Sequence, residues 1–210
     1  GSTALTFTGS VEHFFAERTW VIDLLTGEEL LVDATSDGDV ALALTAIDGY
    51  LEGEADEGLS GTESLVAVAP FDGPYFLTLD SFSTDPIDVA LESNYPMRPL
   101  DDPDDGTVVH PGETIFGYAD YPGDIDYYEI DLADGDSITV SVSAVLMDPE
   151  IIIDRPGNTE DFLARDASSG GGLFGTDARL TFTADTDATY FLVIIDEFYG
   201  PGGYVMTIDG

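Results

Sequence analysis

The sequence contains no cysteine, no lysine and no glutamine among its 210 residues. Without cysteine, the chain can form no disulfide bond, thiolate nucleophile or zinc–thiolate site. No apolar run approaches the ~20 residues that a helix needs to cross a bilayer, so we expect no membrane insertion. No cleavable leader is visible, and the opening Gly1-Ser2 fits either an expression scar or a mature end.

Positive charge is scarce as well. Five arginines stand against 43 Asp and Glu residues, which gives a net charge of −38 at pH 7. This charge repels nucleic acid phosphates and anionic lipid surfaces, so neither is an expected partner. A disordered acidic chain would be poor in aromatic and β-branched residues, whereas this chain is 43% hydrophobic and 11% aromatic. We therefore expect a folded protein.

Residues that could support catalysis are few. His13 lies in an apolar stretch, His110 precedes a proline, and neither accompanies a G-x-S-x-G or H-E-x-x-H motif. Phosphate-binding glycine motifs are absent too. A pair of carboxylates that resembles a glycosidase site carries little information among 43 acids. We expect both histidines to be structural and the chain not to be an enzyme.

The hydrophobic pattern alternates with a period of two, which is typical of half-buried β-strands. Residues 137–143 alternate apolar side chains with hydroxyl side chains, while residues 151–153 and 190–195 are apolar on both faces, as in central strands. Asp-Gly turn signals recur between the alternating segments. No amphipathic helix of three turns is evident. The sequence therefore predicts an all-β fold of antiparallel β-sandwiches.

An internal repeat sets the number of domains. Residues 20–28 match residues 128–136 at a spacing of 108, and residues 75–77 match residues 190–192 at a spacing of 115. The larger second spacing predicts an insertion in the second copy, most simply in the loop 170–172.

The stretch after the first copy is acidic, contains three prolines and has no periodicity, which is typical of a linker. We therefore expect two tandem β-sandwich domains, residues 1–94 and 107–210, joined by a linker of residues 95–106.

The order of motifs in the second copy is informative. It opens with Gly-Asp-Ile-Asp-Tyr-Tyr at 123–128, continues with Asp-Pro-Glu-Ile-Ile-Ile at 148–153, and closes with the apolar segments 188–193 and 203–208. This order resembles the bacterial pre-peptidase C-terminal domain, a β-sandwich family that includes the collagen-binding modules of clostridial collagenases. The resemblance covers about residues 101–210, and the first copy keeps the skeleton in a degenerate form.

Members of this family are usually non-catalytic appendages of secreted enzymes or surface proteins. The resemblance implies a jelly-roll-like sandwich of about eight strands, an extracellular or cell-surface location, and a binding, adhesion or spacer role. The expected partner is an extracellular protein, a polysaccharide or further copies of the chain. The ligand itself does not follow from the fold. Four aromatic residues are candidates either for exposed contacts or for packing: Tyr118, Tyr121, Phe198 and Tyr199.

Acidic residues in the second copy form a candidate metal site. Asp124 and Asp126 are two residues apart at the start of an expected strand, so their side chains point to the same side. Calcium takes six to eight oxygen ligands, typically including several carboxylates. In the calcium-binding branch of the family, acids just before the domain and an Asp-x-Asp-like pair hold the ion. By that resemblance the expected Ca²⁺ ligands are Asp102, Asp104, Asp105, Asp124 and Asp126. A solvated acidic linker is the alternative.

The remaining charge fits either further calcium sites or adaptation to high salt, where counterions screen a lysine-free carboxylate surface. Acids spread over both copies favour the second explanation.

Two functional classes stay open. One is a non-catalytic extracellular accessory module. The other is a structural subunit of an extracellular filament or surface layer that assembles end to end or by exchange of a strand, with residues 4–8 as the candidate segment.

High monovalent salt should stabilise the protein. At ~10 mM salt the screening length is ~30 Å, comparable to the size of a domain, so carboxylates repel one another across the folded chain. We expect the melting temperature, followed by circular dichroism, to rise between low and molar sodium chloride. A melting temperature that stays flat or falls over this range would contradict adaptation to salt.

Overall fold

A computed structural model describes residues 5–11, 16–56, 61–83, 86–158, 162–172, 177–198 and 200–210. Regular secondary structure in these residues is entirely β, which confirms the all-β prediction. The chain divides into two compact units, unit 1 (Gly1–Asp101) and unit 2 (Asp102–Gly210). Over the described ranges, we find no helix whose length and hydropathy would let it span a bilayer.

The described part of unit 1 forms two antiparallel sheets. Its strands are β1 (Leu5–Val11), β2 (Arg18–Leu24), β3 (Glu29–Ser36), β4 (Val40–Ala46), β5 (Leu51–Ala55), β6 (Thr62–Val68), β7 (Gly73–Ser81), β8 (Ile87–Ser93) and β9 (Arg98–Leu100). One sheet has the order β1-β8-β3-β6, and the other has the order β5-β4-β7-β2-β9. The segment considered for strand exchange lies in β1, which pairs along its whole length with β8 of the same chain; residue 4 lies outside the described residues.

The described part of unit 2 also forms two sheets. Its strands are β10 (Thr107–Val108), β11 (Thr114–Ala119), β12 (Ile125–Leu132), β13 (Ser137–Ala144), β14 (Pro149–Asp154), β15 (Ala164–Asp166), β16 (Ala178–Thr183), β17 (Ala188–Asp196) and β18 (Gly202–Asp209). One sheet has the order β11-β18-β13-β16, and the other has the order β10-β12-β17-β14-β15. All pairs are antiparallel except β10 with β12, which is parallel.

Both units have the same topology once β9 and β10 are set aside. In each, the first, eighth, third and sixth strands form one sheet, and the second, seventh, fourth and fifth form the other. Eight strands in this order form a jelly roll, as the sequence resemblance implied.

The core of unit 2 lies between its two sheets. The inward side chains of β12 and β13 include Tyr128, Ile130 and Val140, all fully buried. Their outward neighbours along β13 are hydroxyl residues, so the alternation in the sequence is the alternation of the two faces. Residues 151–153 of β14 are buried on both faces, as predicted for a strand covered from both sides.

Equivalent residues of the repeat occupy equivalent places in the two units. Trp20 pairs with Leu77 between β2 and β7, and Tyr128 pairs with Leu192 between β12 and β17. The first residues of these pairs are 108 apart and the second residues are 115 apart, the two spacings seen in the sequence.

The extra residues of the second copy are shared between several connections. Aligned on their pairing partners, Ala55 corresponds to Asp166 at a spacing of 111, and Leu65 corresponds to Leu180 at a spacing of 115. The connection from β15 to β16, which contains the loop 170–172, therefore takes four extra residues. The remaining extra residues of the second copy lie before β15. The single insertion predicted from the sequence therefore accounts for only part of the difference in length between the copies.

Residues 95–106 differ from the expected linker. Arg98–Leu100 form β9 on the edge of β2, and the residues after Asp101 lead into β10 on the edge of β12. An edge strand offers unpaired backbone groups that a passing segment can satisfy, and Pro99 is tolerated there because proline suits edge strands. The stretch therefore gives unit 1 an edge strand and leads into the edge strand of unit 2.

Residues 101–210 should fold without unit 1. They carry a complete jelly roll with its own core, and the boundary at Asp101 and Asp102 cuts no strand. We expect the expressed fragment to be soluble, rich in β-structure by far-UV circular dichroism, and to unfold in one cooperative transition. If only the full chain folds, either the boundary is wrong or the two units share one core.

Candidate metal centre

An acidic loop before β10 is tied to the start of β12. The Gly106 N–H donates to the Tyr127 carbonyl oxygen at 2.9 Å, and the Tyr127 N–H donates to Asp105 Oδ1 at 3.2 Å. Gly106 has a φ of +71°, and a Cβ there would lie 3.0 Å from the Tyr127 hydroxyl oxygen. Glycine is favoured at such a position. The turn therefore holds residues 102–105 against β12.

Four of the five predicted ligands come together at this point. One carboxylate oxygen from each of Asp102, Asp105 and Asp126 lies within 4.8 Å of the other two. Asp102 also forms a second group of this kind with Asp120 and Asp124. Two ligands on opposite sides of a calcium ion, each ~2.3–2.6 Å from it, are separated by a similar distance. The spacing therefore fits a hard cation.

The fifth predicted residue, Asp104, belongs to neither group of carboxylates. Its Oδ2 accepts a hydrogen bond from the Tyr118 N–H at 3.1 Å, which ties the acidic loop to β11.

Asp120, in contrast, was not predicted from the sequence. Its N–H donates to Asp124 Oδ2 at 2.5 Å across a turn that contains Pro122 and Gly123. An acid that precedes Asp124 across a Pro-Gly turn was the available signal.

Asp124 and Asp126 are almost completely buried, with 3% and 1% of their surface exposed. Asp126 lies on the inward face of β12 with Tyr128, and Asp124 lies one residue before the strand begins. Among the described residues, no hydrogen-bond partner of normal geometry meets Oδ1 or Oδ2 of Asp126, Oδ1 of Asp124, or Oδ2 of Asp102. Buried polar atoms in proteins are nearly always hydrogen-bonded, and an uncompensated buried carboxylate is strongly unfavourable. These oxygens therefore call for a proton or a cation.

The pKa values of these acids are raised for the same reason, because burial disfavours the charged form of a carboxylate. Burial raises the pKa of Asp126 to about 9; the Tyr204 hydroxyl lowers it, and the charges of Asp124 and Asp102 raise it further. Burial and the charge of Asp102 raise the pKa of Asp124 to about 7. Burial also raises the pKa of Asp102 and of Asp120. Without a cation, Asp126 is therefore protonated at neutral pH, and a bound cation has to displace that proton.

Tyr204 reaches the metal centre from β18 in the other sheet. Its hydroxyl oxygen is 2.7 Å from that of Tyr128, and burial raises the pKa of both phenols, so both stay neutral. Its ring lies against Gly117, where a Cβ would come within 2.2 Å of the ring. Only glycine allows this close approach between β11 and β18.

Unit 1 has no equivalent of the Asp124 and Asp126 pair. By the register of β2 and β12, Arg18 occupies the position of Asp126, and Ala16 occupies that of Asp124. Arg18 is exposed, and Ala16 is a buried apolar residue. The asymmetry between the copies that the sequence indicates is present in the structure.

The other singled-out residues lie elsewhere. His110 is exposed, and its N–H donates to Glu113 Oε2 at 2.8 Å. Of the aromatic candidates, Tyr118 and Phe198 are exposed and Tyr121 is buried. His13 and Tyr199 lie outside the described residues.

No family model and no curated protein matches this chain. Among solved structures, it is similar to the pre-peptidase C-terminal domain of collagenase from Bacillus anthracis, with 19% identity, 52% of this chain and 100% of that chain covered, and a TM-score of 0.43. It is also similar to an anti-sigma factor domain-containing protein from Clostridium clariflavum, with 13% identity, coverages of 99% and 86%, and a TM-score of 0.32. An oxalate decarboxylase of Bacillus subtilis is 10% identical, with 100% of this chain and 73% of that chain covered, and a TM-score of 0.20.

Without divalent cations, the protein should lose stability between pH 6 and pH 8.5. The pKa of Asp126 is about 9 in the folded state against an ordinary 3.8, so the folded state holds a proton that the unfolded state releases. This contribution is complete below about pH 4 and is lost as the pH rises towards 9. We expect the melting temperature in EDTA and molar sodium chloride to fall over this range.

Asp126→Asn should show less of this decline, because asparagine is neutral at every pH. At pH 8.5 and without cations, it should melt above the wild type. Asp209→Asn, which changes an exposed acid of the same unit, is the control and should follow the wild type. An equal decline in Asp126→Asn and the wild type would show that Asp126 does not hold the proton.

Proposed function

We propose that this chain is a non-catalytic extracellular module of a secreted enzyme or surface protein, and that calcium stabilises its second unit. The observation that carries the proposal is the buried pair Asp124 and Asp126. Oδ1 of Asp124 and both carboxylate oxygens of Asp126 have no hydrogen-bond partner of normal geometry among the described residues. They face further acids of the loop before β10. A cation is the simplest partner for carboxylates placed in this way.

The donor set favours calcium among common cations. The two groups share Asp102 and together offer five carboxylates for a cation, from Asp102, Asp105, Asp120, Asp124 and Asp126. No cysteine is present and no histidine belongs to either group, so the site suits a hard cation and not zinc or copper. Calcium accepts irregular sets of six to eight oxygens, whereas magnesium demands a tight octahedron and keeps several waters. Backbone oxygens or water would complete the shell.

A bound ion would join segments that repel one another without it. Asp102 and Asp105 belong to the loop that enters unit 2, and Asp126 belongs to β12 inside the sandwich. A divalent charge between them would neutralise the buried carboxylates and fix the loop against the sheet. Calcium would therefore act on stability and on the geometry of the entry to unit 2.

Calcium dependence supports an extracellular location. Calcium sites of extracellular modules have Kd values of ~10⁻⁴–10⁻³ M and are filled where calcium is abundant.

Adaptation to a saline environment belongs to the same proposal. Five arginines cannot neutralise 43 acids, and two of those arginines pair with Asp185 and Glu150. Most carboxylates therefore depend on water and counterions.

Calcium should raise the melting temperature through unit 2 alone. At 10 mM, calcium is roughly 10–100 times a Kd of 10⁻⁴–10⁻³ M, which adds ~1.4–2.7 kcal/mol to the free energy of unfolding. Each kcal/mol corresponds to ~4–8 °C in a domain of this size. The measurement is thermal unfolding with and without calcium in molar sodium chloride, so that general screening is already complete.

Asp124→Asn combined with Asp126→Asn should abolish the calcium shift and leave the response to sodium chloride intact. Asp120→Asn should weaken the shift. Asp104→Asn is the matched control, because its amide oxygen can still accept the Tyr118 N–H and its carboxylate lies outside both groups. Magnesium should give a smaller shift than calcium. Equal effects of the two ions, or a wild-type response of the double variant, would exclude a specific site.

A further inference from the structure

One face of unit 2 departs from the acidic character of the chain. The sheet β11-β18-β13-β16 turns its outward side chains to solvent, and along β13 and β16 these are mostly serine and threonine. Asp209, at the end of β18, is the one acid among the outward positions of these four strands. In a chain with 43 acids among 210 residues, a sheet face with one acid is unusual.

An apolar groove opens at one end of this face. It has a volume of ≈ 430 Å³ and lies between Phe116 of β11, Val205 of β18, the last two residues of β13 and Val145, which follows them. Phe116 is 78% exposed and Val145 is 82% exposed. Exposed apolar side chains grouped around a groove mark interaction sites on soluble proteins, and the volume is in the range of ligand sites.

Tyr118 extends the apolar surface beside the groove. It is 52% exposed, and its ring lies over Gly203, where a Cβ would be 3.3 Å from the ring. Phe116 and Tyr118 are two residues apart on β11 and therefore point to the same side. The two rings form a platform on the outer face.

The fold does not require these aromatic residues. Thr8 and Ser10 of β1 pair with β8 as Phe116 and Tyr118 pair with β18, so they are the equivalent positions in unit 1. The same outer face of unit 1 carries no aromatic residue on its four strands and has four outward acids: Glu29, Asp33, Asp88 and Glu92. The jelly roll forms with either surface, so the aromatic, acid-poor face of unit 2 has another cause.

We infer that this groove binds a neutral polysaccharide, an inference that rests on the proposed role as an extracellular binding module. Phe116 and Tyr118 would stack against the apolar C–H faces of sugar rings. Ser143 and Asp177 line the groove and supply polar groups for sugar hydroxyls. Aromatic stacking surfaces with a few placed polar groups are what a small-ligand site needs.

Charge favours a neutral ligand over other occupants. A net charge of −38 repels polyanions and also opposes the approach of a second copy of the chain. Asp177 lines the groove, but a cationic ligand would find more carboxylates on the acidic surfaces elsewhere and would gain less from this face, whose strands carry one outward acid. A neutral polymer meets no electrostatic repulsion, and molar salt screens charge–charge interactions and not the stacking of an uncharged sugar on an aromatic ring.

The test measures depletion of the full chain from solution by insoluble cellulose, chitin, starch and mannan in 1 M sodium chloride with 10 mM calcium. We expect binding to at least one of them. Phe116→Ala and Tyr118→Ala should each weaken it at least ~10-fold, as for aromatic residues at the centre of a binding site. Tyr50→Ala removes an exposed aromatic residue of unit 1 and should bind like the wild type.

No depletion by any of the four polysaccharides would overturn the inference. The same holds for equal binding by the wild type and Phe116→Ala, for preferential binding to alginate gel, or for dimers in sedimentation that Phe116→Ala abolishes. The calcium shift is measured on the same samples. Phe116→Ala changes an outward side chain away from the carboxylates and should keep the shift. If the wild type binds none of the polysaccharides and still shows the calcium shift, the groove is rejected and the proposed metal centre is left standing.

Discussion

The arrangement of unit 2 depends on the burial of Asp126 at one end of a hydrophobic core. Its carboxylate is 1% exposed and sits on the strand face that also carries Tyr128. A charge in that position must be neutralised by a proton or a cation. The neighbouring features serve this need: the glycine turn at Gly106 brings acids to β12, and Gly117 leaves room for the Tyr204 ring.

Alternating hydrophobicity made most strands predictable, because each sandwich sheet buries one face. The pattern failed for β9 and β10, since strands of two or three residues have no period to show and the prolines and acids around them look like a linker. At the candidate metal centre, the Asp-x-Asp spacing predicted that Asp124 and Asp126 point to the same side, and both are buried there. The spacing could not show that Asp104, an expected ligand, accepts a hydrogen bond from the Tyr118 backbone and lies outside both carboxylate groups. It also could not show that a turn places Asp120 next to Asp124.

The two units are an internal comparison of fold with function. Trp20 and Tyr128 occupy the same core position, and either aromatic residue supports the sandwich. Arg18 and Asp126 occupy one position as well, yet only the carboxylate can help to hold a cation. The jelly roll is therefore fixed by its inward side chains, and the chemistry of each copy is set by residues that the packing leaves free to vary.

The edge strands β9 and β10 have a consequence for how the chain can be cut. Proteases bind their substrates as extended segments with unpaired backbone groups, and proline-rich connections between domains usually provide them. Here the backbone of β9 is already paired with β2, and that of β10 with β12. Residues 98–100 and 107–108 therefore do not offer a protease an unpaired extended segment, and the stretch left open to cleavage between them is short.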